Sequence, residues 1–167
     1  ARHFTPGWER NIGDDMIRAI GANGGVVQIN FGSTFLKRAA NRWSAAFSAK
    51  RVAFAAAARS GGEDGPSFQA FRDSYVEENP YPYATVEDVL DHLDHVVALA
   101  GIDHVGIGSD YDGVGDTLPV GLKDVSAYPN LIAGMLARGY SEADVEKVLA
   151  GNLLRVWESV AAYASRR

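Results

Sequence analysis

His104-Val-Gly-Ile-Gly-Ser-Asp-Tyr-Asp-Gly113 is a short apolar run that ends abruptly in two carboxylates, Asp110 and Asp112. Val105 and Ile107 alternate only with glycines, so the run reads as a strand buried on both faces. Gly106, Gly108 and Ser109 are small enough for neighbouring backbone or a ligand to come close. In parallel α/β folds, chemistry gathers at the carboxyl ends of strands. Asp110 is therefore a candidate base, metal ligand or substrate anchor. The plainer alternative is that Asp110 or Asp112 caps a turn before Gly113.

Upstream, Val26-Val-Gln-Ile-Asn-Phe31 repeats this logic: an apolar run that delivers polar side chains at its carboxyl end. Asp14–Ala22 before it reads as a short helix, with Asp14 and Asp15 at its positive end and Met16, Ile17 and Ile20 as its apolar stripe. Residues 1–13 are loop-like, and Arg10 stands in a frame of Gly7, Pro6 and Gly13. An arginine so placed can clamp a carboxylate bidentately, or it can be a plain exposed residue paired with Glu9 or with nothing.

Residues 32–83 are too many for a simple connection and should carry structure of their own. Lys37–Arg59 is alanine-rich and reads as a helix, with Trp43, Phe47, Phe54 and Ala58 at helical spacing. It carries six basic residues and no acid, which reads as a solvated face rather than an anion site. Gly61–Pro66 breaks it, and Ser67–Glu78 forms a second helix with Phe68, Phe71 and Tyr75 on one side. Thr85–Ala100 is the clearest helix, with a capping pair Thr85/Asp88 and a stripe of Val86, Val89, Leu90, Leu93, Val96 and Val97. His92 and His95 lie three apart on it, a spacing that could hold a metal, beside Asp91 and Asp94. That polar, outward-facing side gives them a surface or packing role, as it does His3 and His104. Helices at about 129–138 and 142–150 follow. Gly151-Asn152 is expected to bend the chain into a last helix, Leu153–Ala164, carrying Leu154, Trp157 and Val160 inward.

With 167 residues, 47% hydrophobic and 22% charged, the chain is long enough for one globular domain. A net charge of −5 gives no reason to expect nucleic acid. Without cysteine there are no disulfides or thiolate zinc sites, and the compartment stays open. No apolar run of about 18 residues exists to span a bilayer. The chain shows no initiator Met or signal pattern at Ala1, so its natural start is expected elsewhere. The strand count points the same way: two buried parallel strands are not a stable sheet, and they call for neighbours and helices on both faces. The chain thus reads as the carboxyl part of a larger α/β fold.

Several motifs, in order, carry a resemblance: Glu9-Arg-Asn-Ile-Gly-Asp-Asp-Met16, Asn23-Gly-Gly-Val-Val-Gln-Ile-Asn-Phe31, Asp91-His-Leu-Asp-His95, the stretch from Ala100 to Gly113, Gly121-Leu-Lys-Asp-Val-Ser126, Tyr128-Pro-Asn-Leu-Ile132 and Gly151-Asn-Leu-Leu-Arg-Val-Trp157. Together they closely resemble the membrane (renal-type) dipeptidases, peptidase family M19, over nearly the whole chain outside about 36–80. The resemblance implies the C-terminal portion of a (β/α)8 TIM-type barrel, strands 7 and 8 with their helices and a helical insertion at about 36–80. The N-terminal portion of the same barrel would complete it. It implies a dipeptide substrate and two zinc ions whose ligands precede Ala1, the last in a Ser-His-Ser-Ser leading into Ala1-Arg2. The family's proton-handling aspartate falls on Asp110 and its carboxylate-gripping arginine on Arg10. Phe35 stands where many relatives place a tyrosine beside the substrate. A homodimer is compatible with this reading. Two rivals stay open: another amide or lactone hydrolase on the same scaffold, and a metal-free binding relative.

Overall fold

In the computed structural model, which describes residues 1–61 and 67–166, the two apolar runs pair in parallel. Strand β1 (Val27–Asn30) and strand β2 (Val105–Ser109) align Val27 with Val105, Gln28 with Gly106 and Ile29 with Ile107. The register then slips, so that Asn30 stands opposite Ser109. Phe31 N–H donates to Ser109 O at 3.0 Å and holds the two carboxyl ends together beyond the slip.

The faces of this pair differ. Val105, Ile29 and Phe31 are buried in one core with helix α5 (Val86–Ala100) and with Ile17 of helix α1 (Asp14–Ala22). Helix α6 (Tyr128–Ala137) completes that core with Leu131 and Met135. On the other face Gln28 lies across Gly106 and Gly108, where an added Cβ would come within 2.7 and 3.0 Å of its side chain. Burial on both faces is thus not observed: Gln28 and Gly108 are exposed and Ile107 half-buried. The glycines hid a polar face, because a residue without a side chain neither shows nor breaks an alternation.

The helices follow their local chemistry. Helix α5 starts with a complete capping box, Thr85 and Asp88 satisfying each other's backbone. It ends where Gly101 takes a φ of +92°, a conformation suited to glycine. Helix α1 buries Ile17 in the core, whereas Met16, expected in the same stripe, is 50% exposed.

Between β1 and α5 lie helices α2 (Ser33–Leu36), α3 (Arg38–Gly61) and α4 (Phe68–Glu78). The expected break at Gly61–Pro66 falls almost wholly outside the described residues. Trp43, Phe47 and Phe54 of α3 meet Phe68, Phe71 and Tyr75 of α4, with Phe54 stacked on Phe71 at 4.6 Å and Phe47 on Phe71 at 5.9 Å. Ala58, expected on this face, is exposed.

Helix α7 (Glu142–Glu146) begins with a second capping box, Ser141/Asp144. A π-helical turn, Lys147–Gly151, then runs straight into helix α8 (Asn152–Ala164). The expected bend at Gly151-Asn152 is therefore absent. The Asn152 amide donates to Ile102 O and Val105 O at 2.7 and 2.8 Å, so it anchors the helix beneath β2 instead of breaking it. Arg155 adds bonds to Gly24 O and Asp103 O on the same side. The opposite side faces away, and Leu154, Trp157 and Val160, expected inward, are 54%, 70% and 63% exposed. Among the described residues no helix is long and apolar enough to cross a membrane.

Candidate active site

Beyond β2 the backbone leaves extended geometry at once, with Ser109 at φ +41° and Asp110 at φ +68°. Neither is glycine, and such positions cost on the order of 1–3 kcal/mol each and concentrate at functional sites. Gly113 N–H closes the turn onto Asp110 O at 3.1 Å. A Cβ at Gly113 would fall 2.1 Å from Asp110 Oδ1, so only glycine leaves room for that carboxylate. Asp112 is exposed, as a turn residue would be.

Asp110 is met from β1. Asn30 Nδ2–H donates to Asp110 Oδ2 at 2.6 Å, while Asn30 Oδ1 accepts Gly32 N–H at 2.7 Å. Beneath them Phe31 packs edge-on against Tyr111 and Tyr128 at 5.8 and 6.3 Å. The Tyr128 hydroxyl hydrogen-bonds Ser109 Oγ. Burial pushes the Tyr111 phenol up to about 12, so it stays neutral.

Alongside runs a cleft of about 270 Å³ whose lining includes Arg10, Asn11, Gln28, Asn30 and Phe35. The Arg10 guanidinium lies 4.7 Å from the Phe35 ring centroid, a cation–π distance, and Trp8 meets the same ring edge-on at 6.0 Å. Arg10 is exposed and makes no ion pair among the described residues, leaving its donors for a ligand. The buried Asn11 side chain fixes this arrangement, donating to Thr5 Oγ1 at 2.6 Å and Phe35 O at 2.7 Å. Neither Asn30 nor Asn11 was singled out in the sequence. Asn30 carried one signal, a polar residue ending an apolar strand; Asn11 carried none beyond its place beside Arg10.

The histidines have structural partners. His92 is buried rather than outward-facing; its Nε2 lies 3.0 Å from Leu36 O and its ring stacks on Phe4. Burial pushes its pKa down to about 3, so it is neutral. His104 Nδ1 bonds Gly25 O at 2.8 Å. His3, Asp14 and His95 bring potential ligand atoms within 4.8 Å of one another. The two imidazoles are, however, stacked at 4.6 Å with an interplanar angle of 23°. Their in-plane lone pairs do not converge on one point, and His95 Nε2 is engaged with Asp14 Oδ1 at 2.8 Å. The bond from His95 holds the Asp14 carboxyl below its usual range. At the Asp110 end the described residues offer no histidine and do not complete a zinc site by themselves.

The fold and this end define an α/β chain in which Asp110 and Asn30 meet at the carboxyl ends of parallel strands. A model of the membrane dipeptidase family (peptidase family M19) matches residues 6–167, and the chain belongs to that family. It is 32% identical over 151 residues to an uncharacterized dipeptidase of Schizosaccharomyces pombe, covering 90% of this chain and 26% of that one. The crystal structure of the probable dipeptidase PvdM from Pseudomonas aeruginosa is similar with a TM-score of 0.67 and 30% identity, over 93% of this chain and 42% of that one. A metallo peptidase from Rhodobacter sphaeroides, liganded with a phosphinate mimic of the dipeptide L-Ala-D-Ala, is similar with a TM-score of 0.64 and 29% identity, over 94% of this chain and 33% of that one. The chain thus has an α/β fold like that of these enzymes and spans between about a quarter and two fifths of their lengths.

Proposed function

We propose that residues 1–167 are the C-terminal part of one (β/α)8 barrel domain of a zinc-dependent dipeptidase, with residues 36–80 a helical insertion. In this reading β1 and β2 are the seventh and eighth strands, and an N-terminal portion of the same barrel covers the Gln28 face. The exposed Gln28 and Gly108, and the fraction of each relative that the chain spans, support it. The observation that carries the function is the meeting of Asp110 and Asn30 at the carboxyl ends of parallel strands, with Arg10 and Phe35 along the adjoining cleft.

Asp110 takes a proton from the water that attacks the scissile carbonyl carbon. As the C–N bond breaks it returns that proton to the leaving amine, giving two amino acids. Arg10 binds the terminal carboxylate through its fork of N–H donors, which selects dipeptides over longer chains. Phe35 supports the guanidinium through its ring face. Zinc lowers the pKa of a bound water; the ligands for the two ions are proposed to lie outside the residues described here.

The test is an assay of the purified enzyme carrying this chain against a dipeptide, its C-terminal amide and a tripeptide. Hydrolysis confined to the free dipeptide, lost on chelation and restored by zinc, is the expected result. Equal hydrolysis of the amide, or activity indifferent to chelation, would contradict it.

A further inference from the structure

We infer that Asn30 is the positioning residue of Asp110, holding its carboxylate in the orientation that receives the proton; this rests on the role proposed for Asp110. The amide of Asn30 cannot turn round without loss, because Oδ1 is held by Gly32 N–H at 2.7 Å. Its Nδ2–H is thereby aimed at Asp110 Oδ2, 2.6 Å away. A donor to an ionised acceptor is among the stronger hydrogen bonds a side chain can make.

Asp110 needs such a hold. It sits just past the end of β2 at φ +68°, where the strand no longer directs its side chain. Among the described residues, Asn30 is the only side chain that donates to its carboxylate. The register slip between Ile29 and Asn30 is what brings the amide into reach. Oδ2 is then occupied by Asn30, and Oδ1, which stands over Gly113, is the oxygen left for the proton. Asn30 also lines the cleft of Arg10 and Phe35, so one side chain ties the proton-handling group to the carboxylate-binding end.

Aspartate at position 30 separates this role from a structural one. Its carboxylate keeps an acceptor for Gly32 N–H, but it replaces the donor to Asp110 with a second carboxylate, and two carboxylates so close share one proton. In the complete enzyme, Asn30→Asp is expected to keep zinc content and KM while kcat falls by at least about 10²-fold and its pH profile shifts upward. Asn30→Ala, which removes the donor without adding charge, is expected to lose about tenfold in kcat. A merely structural Asn30 lowers the melting temperature in both variants while kcat and its pH profile stay near normal; that result would overturn the inference. Asp110→Asn is measured alongside. If it is slow while Asn30→Asp turns over normally, the inference alone fails; if Asp110→Asn itself turns over normally, the reading beneath it fails too.

Discussion

The strand ends and the α3–α4 hairpin are built by opposite means. At the strand ends, residues 80 positions apart meet through one short polar bond above a fully buried Phe31. In the hairpin, aromatic rings pack on rings from the neighbouring helix, and α4 has no buried residue. The first arrangement is long-range, directional and intolerant of a single Cβ at Gly113. The second is greasy, half-exposed and adaptable. Precision sits where the backbone is strained, and bulk sits where the chain makes its excursion.

The largest expected difference between the two regions is in stability. Phe31→Ala should cost roughly 3–5 kcal/mol in denaturant unfolding, the usual price of emptying a fully buried phenylalanine site. A loss as small as that from a surface residue would show that the strand ends do not rest on this core. Arg10→Met comes next. It should reduce kcat/KM for dipeptides by roughly 1.5–3 kcal/mol and affect a C-terminally amidated dipeptide little. Equal losses on both would make Arg10 a structural partner of Phe35 only.

A smaller effect comes from His92, which packs behind the Arg10 loop through Phe4. Its folded pKa of about 3 lies below the ordinary 6.5, so between those values the unfolded chain binds more protons than the folded one. The stability it contributes is present above 6.5 and is lost progressively as pH falls toward 3. Melting temperatures of the native protein and His92→Gln, compared at neutral and mildly acidic pH, should show a flatter decline in the variant. Parallel declines would remove His92 from the account. The smallest effect is expected in the hairpin: Phe47→Ala, at a half-buried site, should leave dipeptide kcat/KM within about twofold. A tenfold loss would erase the contrast between the regions.

Much of this was readable in the sequence because it is local. The cap at Thr85, the stripe of α5 and an apolar run ending in Asp110 each declare themselves within a few residues. The site's second half is not local. That Asn30 reaches Asp110 depends on parallel pairing and on a slip of register, and no periodicity encodes either. Asn11 was silent because a buried amide in a loop leaves no pattern. The error at α8 has a different cause. Leu154, Trp157 and Val160 do form an apolar stripe, but Asn152 and Arg155 decide which side of the helix meets the described residues, and they hold the other side. Gln28 was passed over because glycines opposite it made a polar face look like a buried one.

Asp110 carries the proposed chemistry, and the most direct measurement is the turnover and zinc content of Asp110→Asn in the complete enzyme. The amide keeps the size of the side chain but cannot take up the water's proton. Full zinc content with turnover lowered at least about 10²-fold is the predicted result. Near-normal turnover at full zinc content would contradict it.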